Sequence, residues 1–133
     1  MHIGIAAEQS GVPAKTIRYY ESIGLIPAVA RTAGGYRSYG EPDVQVLRFI
    51  QRARGLGFSV KDVANLLALW RDKSRASAEV KALTLRHIGR IDRKLTELGS
   101  IRRTLIDLAE RCHGDDRPEC PILDDLAREA GGD

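Results

Sequence analysis

The stretch IGIAAEQSGVPAKTIRYYESIG, residues 3–24, decides how the rest of the chain is read. Residues 3–9 have the composition of a short helix that Ser10-Gly11 stops. Pro13 suits the first turn of a second helix, where its missing N–H would otherwise be an orphan donor. That second helix is expected from Pro13 to Ile23, closed by Gly24 in a left-handed cap. Ala7, Gly11 and Ile17 have the spacing of a helix-turn-helix: a small residue where two helices cross, a glycine in the turn, and a core side chain beneath. The exposed face of the second helix is expected to carry Lys15, Thr16, Arg18, Tyr19 and Tyr20, with Glu21 its only acid. A surface so short of acids is suited to a polyanion.

Working outward, residues 25–40 contain Pro27, Gly34, Gly35 and Gly40 and read as a loop or hairpin, with Gly34-Gly35 as the turn signal. Arg31, Tyr36, Arg37 and Tyr39 are interleaved on it, the pattern of a wing laid against a phosphate backbone. A third helix is expected over 41–54, with Glu41 and Asp43 at its positive end and Gly55 and Gly57 terminating it. Ser59, followed by Asp62, marks the start of a fourth helix whose apolar stripe is Val63, Leu66, Leu67 and Trp70. Residues 71–76 form a polar joint.

From Ser77 to Arg111 no proline interrupts the chain, which predicts a helix of roughly 50 Å. Ile88, Ile91, Leu95, Leu98, Ile101, Leu105, Leu108 and Cys112 recur along it as a heptad seam with one residue missing, a stammer that overwinds a coil locally. A lone helix cannot bury such a seam. A second copy of the chain can, so a coiled-coil homodimer is expected.

The 133 residues, 43% hydrophobic and 29% charged, fit one small domain with an extension. No run has the length of a membrane span and the N-terminus lacks a basic-then-apolar signal, so a cytoplasmic location is expected. Residues 1–73 carry 10 Lys/Arg against 6 Asp/Glu, whereas residues 112–133 carry 2 against 7. The basic front suits nucleic acid, and the acidic tail has another task. That tail holds the only two cysteines, Cys112 and Cys120, around a Gly/Asp/Pro loop. In a reducing compartment such a pair points to metal binding or redox chemistry rather than a structural disulfide. Two thiolates without further sulfur suit a soft monovalent ion, Cu(I) and by the same softness Ag(I) or Au(I), whereas structural Zn(II) takes four ligands. Pro121 opens a last helical segment, from Ile122 to about Ala130, and places Cys120 at its N-cap. His113, beside a candidate ligand, and His87, near the seam, read as a loop neighbour and a packing residue.

The residues Thr16-Ile17-Arg18-Tyr19-Tyr20-Glu21, Gly24-Leu25, Gly35-Tyr36-Arg37, Tyr39 and Gly55-Leu56-Gly57-Phe58-Ser59 together resemble the signature of MerR-type regulators. The resemblance covers almost the whole chain. It implies an all-α-dominated fold: a winged helix-turn-helix DNA-binding domain (1–73), a long antiparallel dimerisation helix (74–111), and a metal-binding loop with a C-terminal helix (112–133). It implies DNA-contact roles for Lys15, Thr16, Arg18, Tyr19, Tyr20, Arg31, Tyr36, Arg37, Tyr39 and Arg54. It also implies activation by distorting a palindromic promoter operator, with RNA polymerase engaged indirectly through that promoter.

The tail is similar to that of the copper-sensing, CueR/HmrR-like branch, which implies Cys112 and Cys120 as ligands of Cu(I). In that branch the start of the partner's dimerisation helix covers the metal. Ser77 matches the position where relatives sensing divalent ions carry a third cysteine, and Lys81 matches a basic residue that offsets negative charge. Three alternatives stay open: a silver or gold signal, a thiol-redox switch on the same fold, and, in a different class, a copper chaperone or metal buffer. No spacing suggests an activated nucleophile, so an enzyme is not expected.

Overall fold

The computed structural model describes residues 1–27 and 38–128. The described residues form six helices and no strand. The chain divides into two compact units, Met1–Lys81 and Ala82–Asp133. The expected hairpin with Arg31, Tyr36 and Arg37 lies outside the described residues, and the last helix, expected to run to about Ala130, ends at Ala127, where Arg128 is extended.

In the first unit, α1 (Ile3–Ser10) is capped at its start by the His2 ring, whose Nδ1 accepts from the Gly4 N–H at 3.1 Å. It ends at Gly11, at φ 79°, whose N–H reaches the Ala7 carbonyl at 2.9 Å. A Cβ at Gly11 would meet no atom within 4 Å. Gly11→Ala is therefore a test of backbone conformation alone. It should destabilise the fold by about 1–2 kcal/mol, the usual left-handed penalty, read as a lower urea midpoint with unchanged slope.

The second helix, α2 (Ala14–Ser22), starts after Pro13, which stands at the N-cap, one residue before the expected first helical position. It closes in a Schellman arrangement: Leu25 N–H donates to the Tyr20 carbonyl at 2.9 Å and Gly24, at φ 75°, donates to the Glu21 carbonyl at 3.1 Å. The same closure recurs after α3 (Glu41–Gly55), where Phe58 donates to Ala53 at 3.2 Å and Gly57, at φ 87°, donates to Arg54 at 3.0 Å. The start of α3 is held by the Asp43 carboxylate, which accepts from the Gly40 N–H at 2.8 Å. Acids in its first turn and Arg52 and Arg54 in its last complement the helix dipole. The next helix, α4 (Val60–Arg71), starts as expected, with Ser59 Oγ accepting from the Asp62 N–H at 3.1 Å.

α1 packs on α2 and α3, and α3 packs on α4. The fully buried centre of this unit is Ala6, Val12, Ile17, Tyr39, Val44, Leu47, Ile50 and Val63. Burying a side chain such as Ile17 or Leu47 is worth about 1.5–3 kcal/mol. Three expectations need correction. Ala6, not Ala7, is the fully buried small residue of α1; two adjacent alanines cannot be told apart without knowing which way the helix is turned. Tyr20 is buried, at 6% exposure, because it lies three residues from Ile17 and shares its inward face. The expected apolar stripe of α4 does not stay buried to its end: Trp70 is 42% exposed and stacks flat on Phe49, with centroids 4.6 Å apart and planes 7° from parallel.

α5 (Ser77–Arg111) starts at the end of the first unit and runs on as the backbone of the second. Its seam residues from Ile88 to Leu105 are all exposed, Leu95 the most at 62%, while Leu108 is buried. A turn over residues 112–120 leads to α6 (Pro121–Ala127), with Cys120 at its N-cap. No helix among the described residues is long and apolar enough to cross a membrane.

Candidate DNA-binding and metal-binding sites

The cationic surface of the first unit is built on α2. Ile17 and Tyr20 anchor one side of this helix in the core, which turns Lys15, Arg18 and Tyr19 outward and leaves Thr16 at the boundary. Tyr19 is 54% exposed, and its ring lies 6.0 Å from that of Tyr20. Lys15 and Arg18 are two helical positions that a phosphate backbone can reach together. Arg54 is exposed at the end of α3, and its guanidinium donates to the Phe58 carbonyl at 2.7 Å, which aims the side chain along the turn after α3.

Two tyrosines expected at this surface lie inside instead. Besides Tyr20, Tyr39 is only 2% exposed, and its hydroxyl donates to Glu21 Oε1. Its backbone is paired with Met1 through two bonds, Tyr39 N–H to the Met1 carbonyl at 2.7 Å and Met1 nitrogen to the Tyr39 carbonyl at 2.8 Å. The expectation that Tyr20 and Tyr39 are outward DNA-facing side chains is thus corrected: aromatic rings with a polar tip satisfy both burial and hydrogen bonding. The Tyr39–Glu21 bond joins residues 18 positions apart, and no local pattern in the sequence signals it.

In the second unit, Cys112 follows directly on α5 and its N–H bonds the Ala109 carbonyl at 3.2 Å. Cys120 closes the turn, its carbonyl accepting from the Asp124 N–H at 3.0 Å at the start of α6. Both thiols are free and half-buried. Between them Gly114 takes a left-handed conformation, φ 65°. Asp115 then clasps Arg117, one carboxylate oxygen accepting its backbone N–H at 2.9 Å and the other its Nε at 2.9 Å and terminal guanidinium nitrogen at 2.8 Å. The hydrogen bonds from the Arg117 side chain and backbone hold the Asp115 carboxyl below its ordinary 3.8. The clasp's contribution is therefore fully present above that value and is lost as the pH falls through the lower folded value. A carboxyl-carbon NMR titration should show Asp115 with a midpoint below 3.8, and Arg117→Ala should return it upward.

His113 is exposed beside Cys112, and His87 is buried in α5. Among the described residues no group of three or more His, Cys, Asp or Glu side chains gathers as a metal cage; the tail offers its two thiols. Ser77 and Lys81 are exposed at the start of α5 and, with Phe49, Leu66, Trp70, Arg75 and Val80, line an open hollow of about 450 Å³. Sequence reasoning missed this hollow, although Phe49 and Trp70, aromatic and half-exposed on consecutive helices, are its signal in retrospect.

A glycine-turned helix pair with a core-anchored second helix and outward Lys and Arg defines a helix-turn-helix DNA-binding protein. Residues 1–69 match the model of the MerR helix-turn-helix family of regulatory proteins, and residues 44–108 match that of the MerR DNA-binding region. The chain belongs to the MerR family: it is a transcriptional regulator and not an enzyme. It is similar to the transcriptional regulator HmrR of Sinorhizobium medicae, 56% identical over 131 residues that cover 98% of this chain and 89% of HmrR. It is equally similar, 56% over 127 residues, to the heavy metal-dependent transcription regulator 2 of Rhizobium meliloti, covering 96% of this chain and 86% of that protein. Among solved structures it resembles the regulator PbrR691 of Ralstonia metallidurans in complex with lead(II), with a TM-score of 0.82, 36% identity, and coverage of 96% of this chain and 99% of that one.

Proposed function

We propose that this protein is a cytoplasmic, homodimeric regulator that binds a palindromic promoter operator and activates transcription in response to Cu(I). Its likeness to a heavy metal-dependent regulator and to a lead(II)-bound one supports a metal effector. The observation that carries the choice of ion is the pair of free, half-buried thiols at the two ends of the 112–120 turn. Two thiolates satisfy a soft monovalent ion at low coordination, whereas a divalent ion would leave positions unfilled. Ag(I) and Au(I) share this chemistry and are competing effectors at the same site.

Lys15, Thr16, Arg18, Tyr19 and Arg54 are the described residues assigned to DNA, together with Arg31, Tyr36 and Arg37 outside the described range. Tyr20 and Tyr39 support that surface from the core. A two-fold dimer sets two α2 helices into successive major grooves, which requires symmetric half-sites. Holding that operator in a bent or untwisted form changes how RNA polymerase meets the promoter, and an effector acts by favouring the protein conformation that fits the distorted DNA. In the dimer, Ser77 and Lys81 belong to the partner's side of the metal site: Ser77 leaves out a third sulfur and Lys81 offsets the net negative charge of a bis-thiolate centre.

In-vitro transcription from the protein's own promoter under a series of metals tests the reading. Cu(I) should induce and Zn(II) should not; strong induction by Zn(II) alone would sink the assignment of the effector. Ser77→Cys should extend the response to divalent ions at concentrations where the wild type is silent. An unchanged metal profile would remove Ser77 from the site.

A further inference from the structure

Tyr39 is the point at which three helices of the DNA-binding unit are tied together. Its backbone pairs with Met1, two residues before α1. The next residue, Gly40, is bonded by Asp43 to open α3. Its hydroxyl, inside the fold, donates to Glu21 on α2. The helix so held needs an external anchor, because its N-cap, Pro13, offers no side-chain hydrogen bond and its nine residues make few turns. Ile17 and Tyr20 hold α2 in the core by apolar contact, which is non-directional. The phenol–carboxylate bond is directional, and it meets α2 at the edge between its buried side and the side that carries Lys15 and Arg18.

We infer that Glu21 and Tyr39 form a positioning pair that sets the rotation of α2, so that Glu21, an acid beside a DNA-facing surface, strengthens DNA binding by accepting the Tyr39 hydroxyl. The inference rests on the DNA-binding reading above. Electrostatics alone makes the opposite prediction, since a negative charge beside DNA weakens binding. Two substitutions separate the effects: Glu21→Gln and Glu21→Ala remove the same charge, but only glutamine keeps an oxygen that can accept the hydroxyl.

The test is operator affinity across a salt series, measured by fluorescence anisotropy on a duplex spanning the protein's own promoter region, with active fraction from stoichiometric titration and thermal melting alongside. Glu21→Gln should bind more tightly than Glu21→Ala. Glu21→Ala and Tyr39→Phe should each bind about 10- to 150-fold more weakly, the range for losing a hydrogen bond to a charged group. The double variant Glu21→Ala/Tyr39→Phe should lose less than the two single losses together, because both break the same bond. Equal binding by Glu21→Gln and Glu21→Ala, wild-type affinity for Tyr39→Phe, or additive losses would each overturn the inference. A fall in active fraction with unchanged affinity would reduce the pair to a folding role and overturn it as well. Failure of the wild type to bind the duplex would instead strike the DNA-binding reading on which it stands.

Discussion

Cys112→Ser is expected to leave operator binding intact while abolishing the metal response. The substitution is close to isosteric at a half-buried position just beyond α5, so folding should be unaffected within about 0.5 kcal/mol and DNA affinity within about twofold. The effect on metal is of another order. A hydroxyl is a hard donor with no soft electron pair to offer a monovalent d¹⁰ ion, and two thiolates are all the sulfur the tail has. Altered outer-shell groups alone cost about 10–100-fold in metal affinity, so losing one of two thiolates should cost more than about 100-fold. Competition with a Cu(I) chelator measures the metal affinity, gel shift the operator affinity, and in-vitro transcription the loss of induction. Loss of DNA binding in the variant would mean that the cysteines serve structure, and retained induction would mean that the effector sits elsewhere.

Replacing Leu98 and Leu105 together by Asp should convert the protein to monomers and collapse operator binding. Leu98, Ile101, Leu105, Ile106 and Ala109 line an apolar hollow of about 490 Å³ on α5, and both leucines are more than half exposed in the single chain. Each leucine returned to water forfeits about 1.5–3 kcal/mol of burial per copy, and a carboxylate in a closed seam adds a desolvation penalty. A monomer reads one half-site and loses the effective concentration that a dimer gives the second, a factor of about 10²–10⁴ in affinity. Sedimentation should show the monomer directly, and circular dichroism should show a marked loss of helix, since the seam from Ile88 to Leu105 is exposed in the single chain. A variant that stays dimeric would place the interface elsewhere on the chain.

Much of this architecture was legible before any coordinates. Helix boundaries were local matters: Gly11, Gly24 and Gly57 take the left-handed conformations that end helices, Ser59 caps α4, and the unbroken run from Ser77 to Arg111 is one helix. Such features depend on backbone sterics and on partners within a few residues, which the order of residues carries. The candidate metal residues were legible for a different reason, because two cysteines in 133 residues leave little choice. The DNA-facing surface was read only in part. Lys15, Arg18 and Tyr19 face outward, but Tyr20 and Tyr39, polar enough to suit either side, went inward.

By itself, then, the sequence determined that a glycine-turned helix pair with a basic outer side precedes a long helix with an unsatisfied apolar seam and a two-thiol tail. Periodicity, capping and residue count are properties of short windows, and they survive without knowledge of what packs against them. Only the tertiary structure decided that Ala6 rather than Ala7 meets the core, that Phe49 and Trp70 stack at the surface, and that Tyr39 reaches back to Glu21. Those outcomes depend on which face of one element meets another, and a tyrosine's place is set there by whether its ring finds cover and its hydroxyl finds an acceptor.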